Sequence, residues 1–420
     1  MKVLWISNIV FPEALSLLKG EGALKSSGGW LIGAAETLVK FHGIDLTVAA
    51  VSKDVSRLTR LEGQRITYYL LPYGKGNTRP NRDYEPMWRQ VRDAVAPDVV
   101  HIHGTEFSHG LAFLSACGNK GVCVSIQGLV SAYYPYYCGG IPLKEICLSA
   151  TPASLLRGGI LRGRRSFKRR GECEKEIIRR TDHIIGRTSW DRARTWAINP
   201  QAEYHHGGET LREEFYTGER WSYDGCRRHS LFLSQADYPI KGLHMVLKAL
   251  PLIRNFYPDV QVRIAGTNTI RDNRLIERLK MSDYGRIVRK RIKEYRLQDC
   301  VTFTGALDGA GMREEYLHSN VFVCPSAIEN SPNSLAEAQI LGVPVIASNV
   351  GGVPDMMKGD EEHLYRFEEV EMLAFKICEL FAKEGNIDTE PMRLEALRRH
   401  DPEKNARELM SIYQDIVQSR

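Results

Sequence analysis

Short apolar runs alternate with amphipathic segments along the first half of the chain. Seven segments follow this alternation and are predicted, in order, as strand 3–7, helix 30–41, strand 46–51, helix 87–95, strand 98–103, helix 110–117 and strand 122–127. The first strand spans Lys2 to Ser7 if the flanking residues are included. Because strands and helices take turns, the pattern favours a mostly parallel, doubly wound sheet.

The alternation breaks at residues 131–171, where the aromatic run AYYPYYCGG precedes an apolar and basic stretch. A strand is predicted to return at 183–188. The second half then repeats the pattern, with strands predicted at 230–235, 260–266, 301–307, 321–326 and 343–348, and helices at 241–253, 314–319 and 334–342. The chain therefore contains two αβ regions of similar design.

We predict domains over residues 1–218 and 219–400, joined by a linker between about Tyr216 and Arg228. The last segment, 401–420, reads as an amphipathic helix that packs back on the first domain. Asp401 and Pro402 are favourable residues for opening that helix.

Composition places the chain among ordinary globular proteins, with 420 residues, 43% hydrophobic and 26% charged. The net charge of +6 is local, because residues 157–170 carry seven Arg or Lys and no acid, and 6 − 7 leaves −1 elsewhere. This distribution argues against nucleic acid as the main partner.

The N-terminus reads as a strand, and no apolar run of 18 or more residues exists, so we expect a cytoplasmic protein. The nine cysteines form no C-x-x-C pair, so reduced thiols are expected and a zinc site is not.

The most informative string is PSAIENSPNSLAEAQILGVPVIASNVGGVP, residues 325–354. A strand ends at its start, a loop carries Glu329, and Ser334 opens a helix that contains Glu337. A helix N-terminus offers free amides and the positive end of a dipole, which suit a diphosphate. Ser334 and Glu337 also fit a capping box, in which the Glu bonds back to the cap residue.

This string resembles the retaining glycosyltransferases of family 4, which have the GT-B fold. The matching elements are Pro325-Ser326, the two glutamates with seven residues between them, Gly342-Val343-Pro344-Val345-Ile346, and Gly351-Gly352. The family's usual Gly-Phe-Gly after the first Glu is replaced by the residues 330–334, NSPNS. The resemblance implies an α/β protein with two Rossmann-like doubly wound domains facing across a cleft, an acceptor-side domain first and a nucleotide-sugar-binding domain second.

The resemblance also implies roles for individual residues. Glu329 would contact the transferred sugar, Glu337 would hold the ribose hydroxyls, and the amides around Ser334 and Leu335 would hold the diphosphate. Lys241, in a Lys-Gly pair after a strand, would pair with the same diphosphate. The Arg that precedes this Lys in the family is missing here, so Lys241 would carry more of the phosphate charge together with Arg187.

Two further matches lie in the first half. The pair Gly28-Gly29 corresponds to a glycine pair whose backbone approaches the phosphates, which only residues without a Cβ permit. His103 ends a predicted strand, where open α/β sheets bind ligands, and the resemblance places it near the transferred sugar. His101 lies on the same face and can alternatively be a hydrogen-bonded core histidine.

The predicted catalytic residues are therefore His103, Glu329 and Lys241. The predicted donor-binding residues are Gly28, Gly29, Arg187, Gln235, Lys241, Glu329, Asn333, Ser334, Leu335 and Glu337. No metal ligand and no cofactor is expected, because no D-x-D motif ends a strand.

The resemblance predicts transfer, with retained configuration, of a hexose or N-acetylhexosamine from a UDP- or GDP-sugar to a saccharide or lipid-linked acceptor, in surface polysaccharide synthesis. The basic segment from Arg157 to Arg170 suggests that the protein docks on the anionic inner face of the cytoplasmic membrane. The alternative is that this segment is simply a solvent-exposed, charged helix face. The alternatives are a GT-B sugar-nucleotide epimerase and a non-catalytic sugar-nucleotide-binding protein. A nicotinamide-dependent oxidoreductase is disfavoured, because the glycine fingerprint lacks its third glycine.

Overall fold

The computed structural model describes residues 1–20, 29–41, 43–74, 82–268, 270 and 280–419. The chain forms two compact units. The first contains residues 1–132, 166–212 and 399–420, and the second contains residues 133–165 and 213–398. The sequence-based boundaries were 218 and 400, and they kept residues 133–165 with the first half.

Strands and helices are numbered in chain order within the described residues. The strands are β1 (Lys2–Ser7), β2 (Asp45–Ser52), β3 (Thr59–Glu62), β4 (Ile66–Pro72), β5 (Val99–His103), β6 (Val122–Ser125), β7 (His183–Gly186), β8 (Glu203–His206), β9 (Ser230–Leu233), β10 (Gln261–Ala265), β11 (Val301–Gly305), β12 (Val321–Cys324), β13 (Val345–Ser348) and β14 (Leu364–Tyr365). The α-helices are α1 (Pro12–Lys19), α2 (Gly29–Leu38), α3 (Tyr84–Val95), α4 (His109–Cys117), α5 (Val130–Tyr133), α6 (Leu143–Leu148), α7 (Pro152–Arg157), α8 (Ile160–Arg179), α9 (Ser189–Ile198), α10 (Leu243–Arg254), α11 (Asp283–Glu294), α12 (Gly309–Leu317), α13 (Asn333–Leu341), α14 (Val353–Met356), α15 (Val370–Ala382), α16 (Glu390–Arg399) and α17 (Pro402–Gln418).

The first unit is built on one sheet with the strand order β3-β4-β2-β1-β5-β6-β7-β8 among the described residues. Neighbouring strands run parallel, except that β3 pairs antiparallel with β4. The predicted strands of this half are confirmed. The β3–β4 hairpin and the edge strand β8 were not predicted, although β4 is mostly buried.

The C-terminal helix α17 belongs to the first unit. The Asp401 carboxylate caps it by accepting a hydrogen bond of 2.7 Å from the amide of Lys404, and Pro402 occupies the first turn. Its apolar face, with Ile412 and Ile416, is buried in a core that also contains Val3 and Trp5 of β1. The buried Tyr413 hydroxyl accepts a hydrogen bond of 2.9 Å from the Trp5 indole.

The second unit holds a parallel sheet with the order β11-β10-β9-β12-β13-β14 in the described part of the chain. Residues 133–165 join this unit because Ile141, Ile146 and Ile160 are buried in its core. Polar contacts add to this, since His244 Nε2 lies 2.6 Å from the carbonyl oxygen of Gly139. Across the described ranges, none of the helices has both the length and the apolar character needed to span a membrane.

Candidate functional site

Two predicted site residues meet in the second unit. β9 and β12 are parallel neighbours, so the loops that follow them leave the same edge of the sheet. Lys241 lies in a 3-10 turn after β9, and Glu329 lies in the loop after β12. The Lys241 ammonium donates a hydrogen bond of 2.7 Å to Oε1 of Glu329. The Ser326 hydroxyl donates to the same oxygen at 2.9 Å.

This ion pair is largely shielded from water, with side-chain exposures of 20% for Lys241 and 10% for Glu329. Burial acts to lower the pKa of Lys241, but the Glu329 carboxylate outweighs it, and the pKa is raised above its ordinary value. Lys241 is therefore firmly cationic at neutral pH. A phosphate that entered here would compete with the carboxylate for the same ammonium.

Glycines allow the two loops to come this close. Gly242 has φ +72°, and a Cβ on it would overlap the carbonyl oxygen of Pro325. Gly351 has φ +56°, and a Cβ there would overlap the carbonyl oxygen of Glu329. The next amide, that of Gly352, donates to this Glu329 oxygen at 3.1 Å. Gly351 and Gly352 of the sequence motif thus support the backbone of Glu329.

Helix α13 begins just after the Glu329 loop. Its N-cap is Pro332, which makes no side-chain cap bond, so the capping box of Ser334 and Glu337 considered from the sequence is wrong. Glu337 is instead buried, with its Oε2 3.2 Å from the Tyr316 hydroxyl. This hydroxyl also donates to the carbonyl oxygen of Ser334 at 2.9 Å. Glu337 therefore faces the interior beside the first turn of α13.

Three more residues predicted to bind the sugar donor lie in the first turn of α13 or just after β9. The Asn333 Oδ1 is buried and has no hydrogen-bond partner in the described ranges. The Leu335 amide donates to the carbonyl oxygen of Pro332 at 3.0 Å, within the first turn. Gln235 is exposed, and its Nε2 lies 3.5 Å from Asp237 Oδ2. Their assignment to a donor site stays a prediction.

In the first unit, His103 ends β5 and is 5% exposed. Its ring lies 4.2 Å from that of Trp5 and 3.7 Å from that of His101, measured between centroids. Both nitrogens of His103 are buried without a hydrogen-bond partner among the residues described. Burial, followed by the charges of His101 and Arg187, lowers the pKa of His103 well below its ordinary value. The ring is neutral at physiological pH and has two unused polar atoms.

His101 has a structural role, in line with the alternative considered from the sequence. Its Nδ1 lies 2.6 Å from the Tyr413 hydroxyl and its Nε2 lies 2.5 Å from the Ser125 hydroxyl. Burial lowers its pKa to about 3. A buried, neutral and doubly hydrogen-bonded imidazole ties the C-terminal helix to β5 and β6.

Arg187 follows β7 and forms an ion pair of 3.0 Å with the buried Glu209. Its guanidinium also lies over the Trp30 ring, 5.8 Å from the centroid. A cavity of about 50 Å³ is lined by these side chains together with His103 and Asn405. The other predicted residues here are Gly28, which lies outside the described residues, and Gly29, which is the first residue of α2.

Sequence reasoning missed two carboxylates of the first unit. Glu106 comes soon after His103, and its oxygens lie 3.4 Å from the Asn8 side-chain amide and 3.4 Å from the Gly128 amide. Burial raises the pKa of Glu106. Glu174, in α8, is buried, accepts a hydrogen bond of 2.8 Å from the Ser131 amide, and has its pKa raised by burial to about 7. For Glu106, its position two residues after HIHG was the available signal.

Comparisons with known proteins give consistent results. Residues 227–383 match the family model described as glycosyl transferases group 1. The phosphatidyl-myo-inositol mannosyltransferase of Mycobacterium leprae (strain TN) is 26% identical over 245 residues, 57% of this chain and 61% of that protein. The spore coat protein SA of Bacillus subtilis (strain 168) is 28% identical over 184 residues, 42% of this chain and 46% of that protein. The matches thus span only about half the length of these relatives.

Solved structures resemble the chain over nearly its whole length. Sucrose-phosphate synthase from Thermosynechococcus elongatus superposes with a TM-score of 0.72 at 17% identity and covers 100% of both chains. Anabaena HepE in complex with UDP and glucose gives a TM-score of 0.65 at 14% identity, with 99% of both chains covered. With the two parallel sheets, these likenesses confirm the predicted GT-B architecture of two Rossmann-like domains.

Proposed function

We propose that this chain, a GT-B protein carrying a glycosyl transferases group 1 domain at residues 227–383, is a glycosyltransferase that uses a nucleotide diphosphate sugar. The observation that carries the proposal is the Lys241–Glu329 ion pair, 2.7 Å long and located just ahead of the first turn of α13. Both residues lie inside the matched domain. A cation, a carboxylate and a helix N-terminus are the groups that a diphosphate sugar requires.

The proposed reaction breaks the bond between the anomeric carbon and the diphosphate oxygen. The acceptor hydroxyl oxygen forms the new bond on the same face of the sugar, and its proton passes to the departing phosphate. Lys241 and the amino end of α13 stabilise the charge that develops on that phosphate. Glu329 holds hydroxyls of the transferred sugar, and Glu337 holds the ribose. No metal ion takes part in this scheme.

The proposed donor is a UDP- or GDP-linked hexose or N-acetylhexosamine, and the proposed acceptor is a saccharide or a lipid-linked saccharide. A relative is named as a mannosyltransferase acting on phosphatidyl-myo-inositol, and a structural neighbour was solved with UDP and glucose. We place the reaction in the synthesis of surface polysaccharide.

We infer that the basic segment from Arg157 to Arg170, together with the leucines that precede it, docks on an anionic membrane surface, where a lipid-linked acceptor resides. These leucines, Leu148, Leu155 and Leu156, are exposed by 74%, 76% and 82%. The exposed Arg157 follows Leu156 directly, and Arg162 further along is exposed as well. Apolar side chains next to cations are the combination that an anionic lipid interface attracts.

A donor panel tests the proposed function. The purified chain is incubated with UDP- and GDP-sugars and a set of saccharide and lipid-linked acceptors, with and without EDTA. We expect acceptor-dependent release of one nucleotide diphosphate, insensitive to EDTA, and a product with the anomeric configuration of the donor. Conversion of the donor sugar without an acceptor would indicate an epimerase instead. Tight donor binding without turnover on any acceptor would indicate a non-catalytic binding protein.

A further inference from the structure

Three potential metal ligands lie together at one edge of the first unit. His183 is the first residue of β7, and Glu203 is the first residue of the neighbouring strand β8, which ends the sheet order. The two residues are partners in the parallel register. His205 lies two positions further along β8, so its side chain is on the same face as that of Glu203.

The ligand atoms of these residues form a small triangle. His183 Nδ1 lies 3.1 Å from His205 Nε2 and 3.5 Å from Glu203 Oε2, and His205 Nε2 lies 3.9 Å from that oxygen. Two ligands that each lie about 2.0–2.1 Å from a tetrahedral zinc ion are about 3.4 Å apart. The three observed separations therefore have the size of one face of a zinc tetrahedron.

The local chemistry also permits a metal ion. Two imidazole nitrogens at 3.1 Å can share only one proton, so one of them must be deprotonated. A neutral imidazole is the form that binds a metal. Glu203 is exposed, so solvent can reach the fourth position.

We propose that His183, Glu203 and His205 bind one divalent transition-metal ion, with zinc as the cation that fits best. Two nitrogens and one carboxylate oxygen favour zinc and its neighbours over magnesium or calcium. His183 and Glu203 open their strands, whereas His103 and Arg187 lie at the carboxyl ends of the sheet. The ion fastens the edge strand β8 to β7 and takes no part in sugar transfer.

The test uses the full chain without a histidine tag, stripped with EDTA and titrated with zinc against a chromophoric chelator. We expect one zinc per chain, a melting temperature that rises with zinc concentration, and a tetrahedral visible spectrum with cobalt. His183→Ala and His205→Ala should each weaken binding by at least about a hundredfold, since even outer partners of a ligand are worth about 10–100-fold. His206→Ala is the matched control, because His206 is on β8 but faces the other side.

Equal zinc binding by the wild type and the His183→Ala/His205→Ala double variant would overturn the proposal. Failure of the wild type to outcompete the chelator or to form a tetrahedral cobalt spectrum would do the same. If the alanine variants do not fold, as judged by circular dichroism in EDTA, His205→Gln and Glu203→Gln replace them, since they keep polar side chains on the strand. Retention of wild-type affinity in both would again reject the site.

Discussion

The ammonium of Lys241 lies 2.7 Å from the carboxylate of Glu329, so two predicted catalytic residues neutralise each other before any donor is bound. Glu329→Ala and Lys241→Ala should each reduce turnover by about 10²–10³, the effect of removing one preorganised polar contact. They should differ in binding nucleoside diphosphate. Lys241→Ala should weaken it, whereas Glu329→Ala frees the ammonium and should preserve or strengthen it.

Steady-state kinetics with the active donor, together with calorimetry of nucleoside diphosphate binding, checks this pair. Lys290→Ala removes an exposed lysine of the same unit and should change neither quantity. Full activity in both site variants would remove the basis of the assignment. Weaker nucleotide binding in Glu329→Ala would show instead that the carboxylate contacts the nucleotide.

A second prediction concerns the glycine beneath Glu329. Gly351→Ala should destabilise the second unit and lower turnover, because a Cβ would push the Glu329 carbonyl away. Gly359→Ala is the control, since Gly359 has φ +87° but open space around it. The control should lose only about 1–2 kcal/mol of its free energy of unfolding, because alanine is less favourable than glycine in a left-handed backbone conformation. Its turnover per folded molecule should be unchanged. Urea unfolding and kinetics of both variants measure this. Equal losses of activity would contradict a positioning role for Gly351.

Several features of the molecule follow from the sequence because they depend on neighbouring residues. β1 appears at Lys2–Ser7 as predicted, and α17 begins at Pro402 behind its Asp401 cap. The Glu329 loop and α13 were found because the motif is contiguous.

Other features depend on residues that only the tertiary fold brings together. The membership of segment 133–165 in the second unit depends on the burial of Ile141, Ile146 and Ile160 against residues far along the chain. The His183–His205 contact arises from strand pairing, which neither cysteine spacing nor the absence of a D-x-D motif could reveal. The capping alternative for Glu337 failed because the helix begins one residue earlier, at Asn333.

Acid should destabilise the folded chain. Five histidines of the described residues are buried, and burial is the first cause that lowers the pKa of each. The pKa falls to about 3 for His101, His244 and His400, to about 4 for His109, and well below the ordinary value for His103. Unfolding exposes these imidazoles and lets them take up protons. Their contribution to the free energy of unfolding is therefore complete above about pH 6.5 and is lost as the pH falls. Each contributes up to about 1.4 kcal/mol per pH unit.

Urea unfolding at pH 7.5, 6.0 and 5.0 measures this slope. Glu174, whose pKa is raised to about 7, and Glu106, whose pKa burial also raises, act in the opposite sense but are outnumbered by the five histidines. His400→Gln should reduce the slope, while replacing the exposed His318 by Gln should leave it unchanged. A free energy of unfolding that stays constant from pH 7.5 to 5.0 would show that the buried histidines do not control acid stability.

The last prediction concerns the basic segment and its exposed leucines. The chain should float with anionic vesicles at low salt and much less with neutral vesicles, because each cation near an anionic surface contributes about 1 kcal/mol. Salt should release it, as screening shortens the range of the attraction. Replacing Arg164, Arg165, Lys168, Arg169 and Arg170 by Gln should abolish flotation. Leu155→Ser/Leu156→Ser should weaken flotation even at low salt, since it removes the apolar contact without changing the charge.

Phe256→Ser is the matched control for the leucine variant, because Phe256 is 75% exposed in the same unit but lies outside the basic segment. It should float like the wild type. Turnover on a water-soluble acceptor should be equal in all these variants, which separates a docking defect from a folding defect. Equal flotation with anionic and neutral vesicles, or flotation unchanged by the five Gln substitutions, would leave the segment as a solvated face.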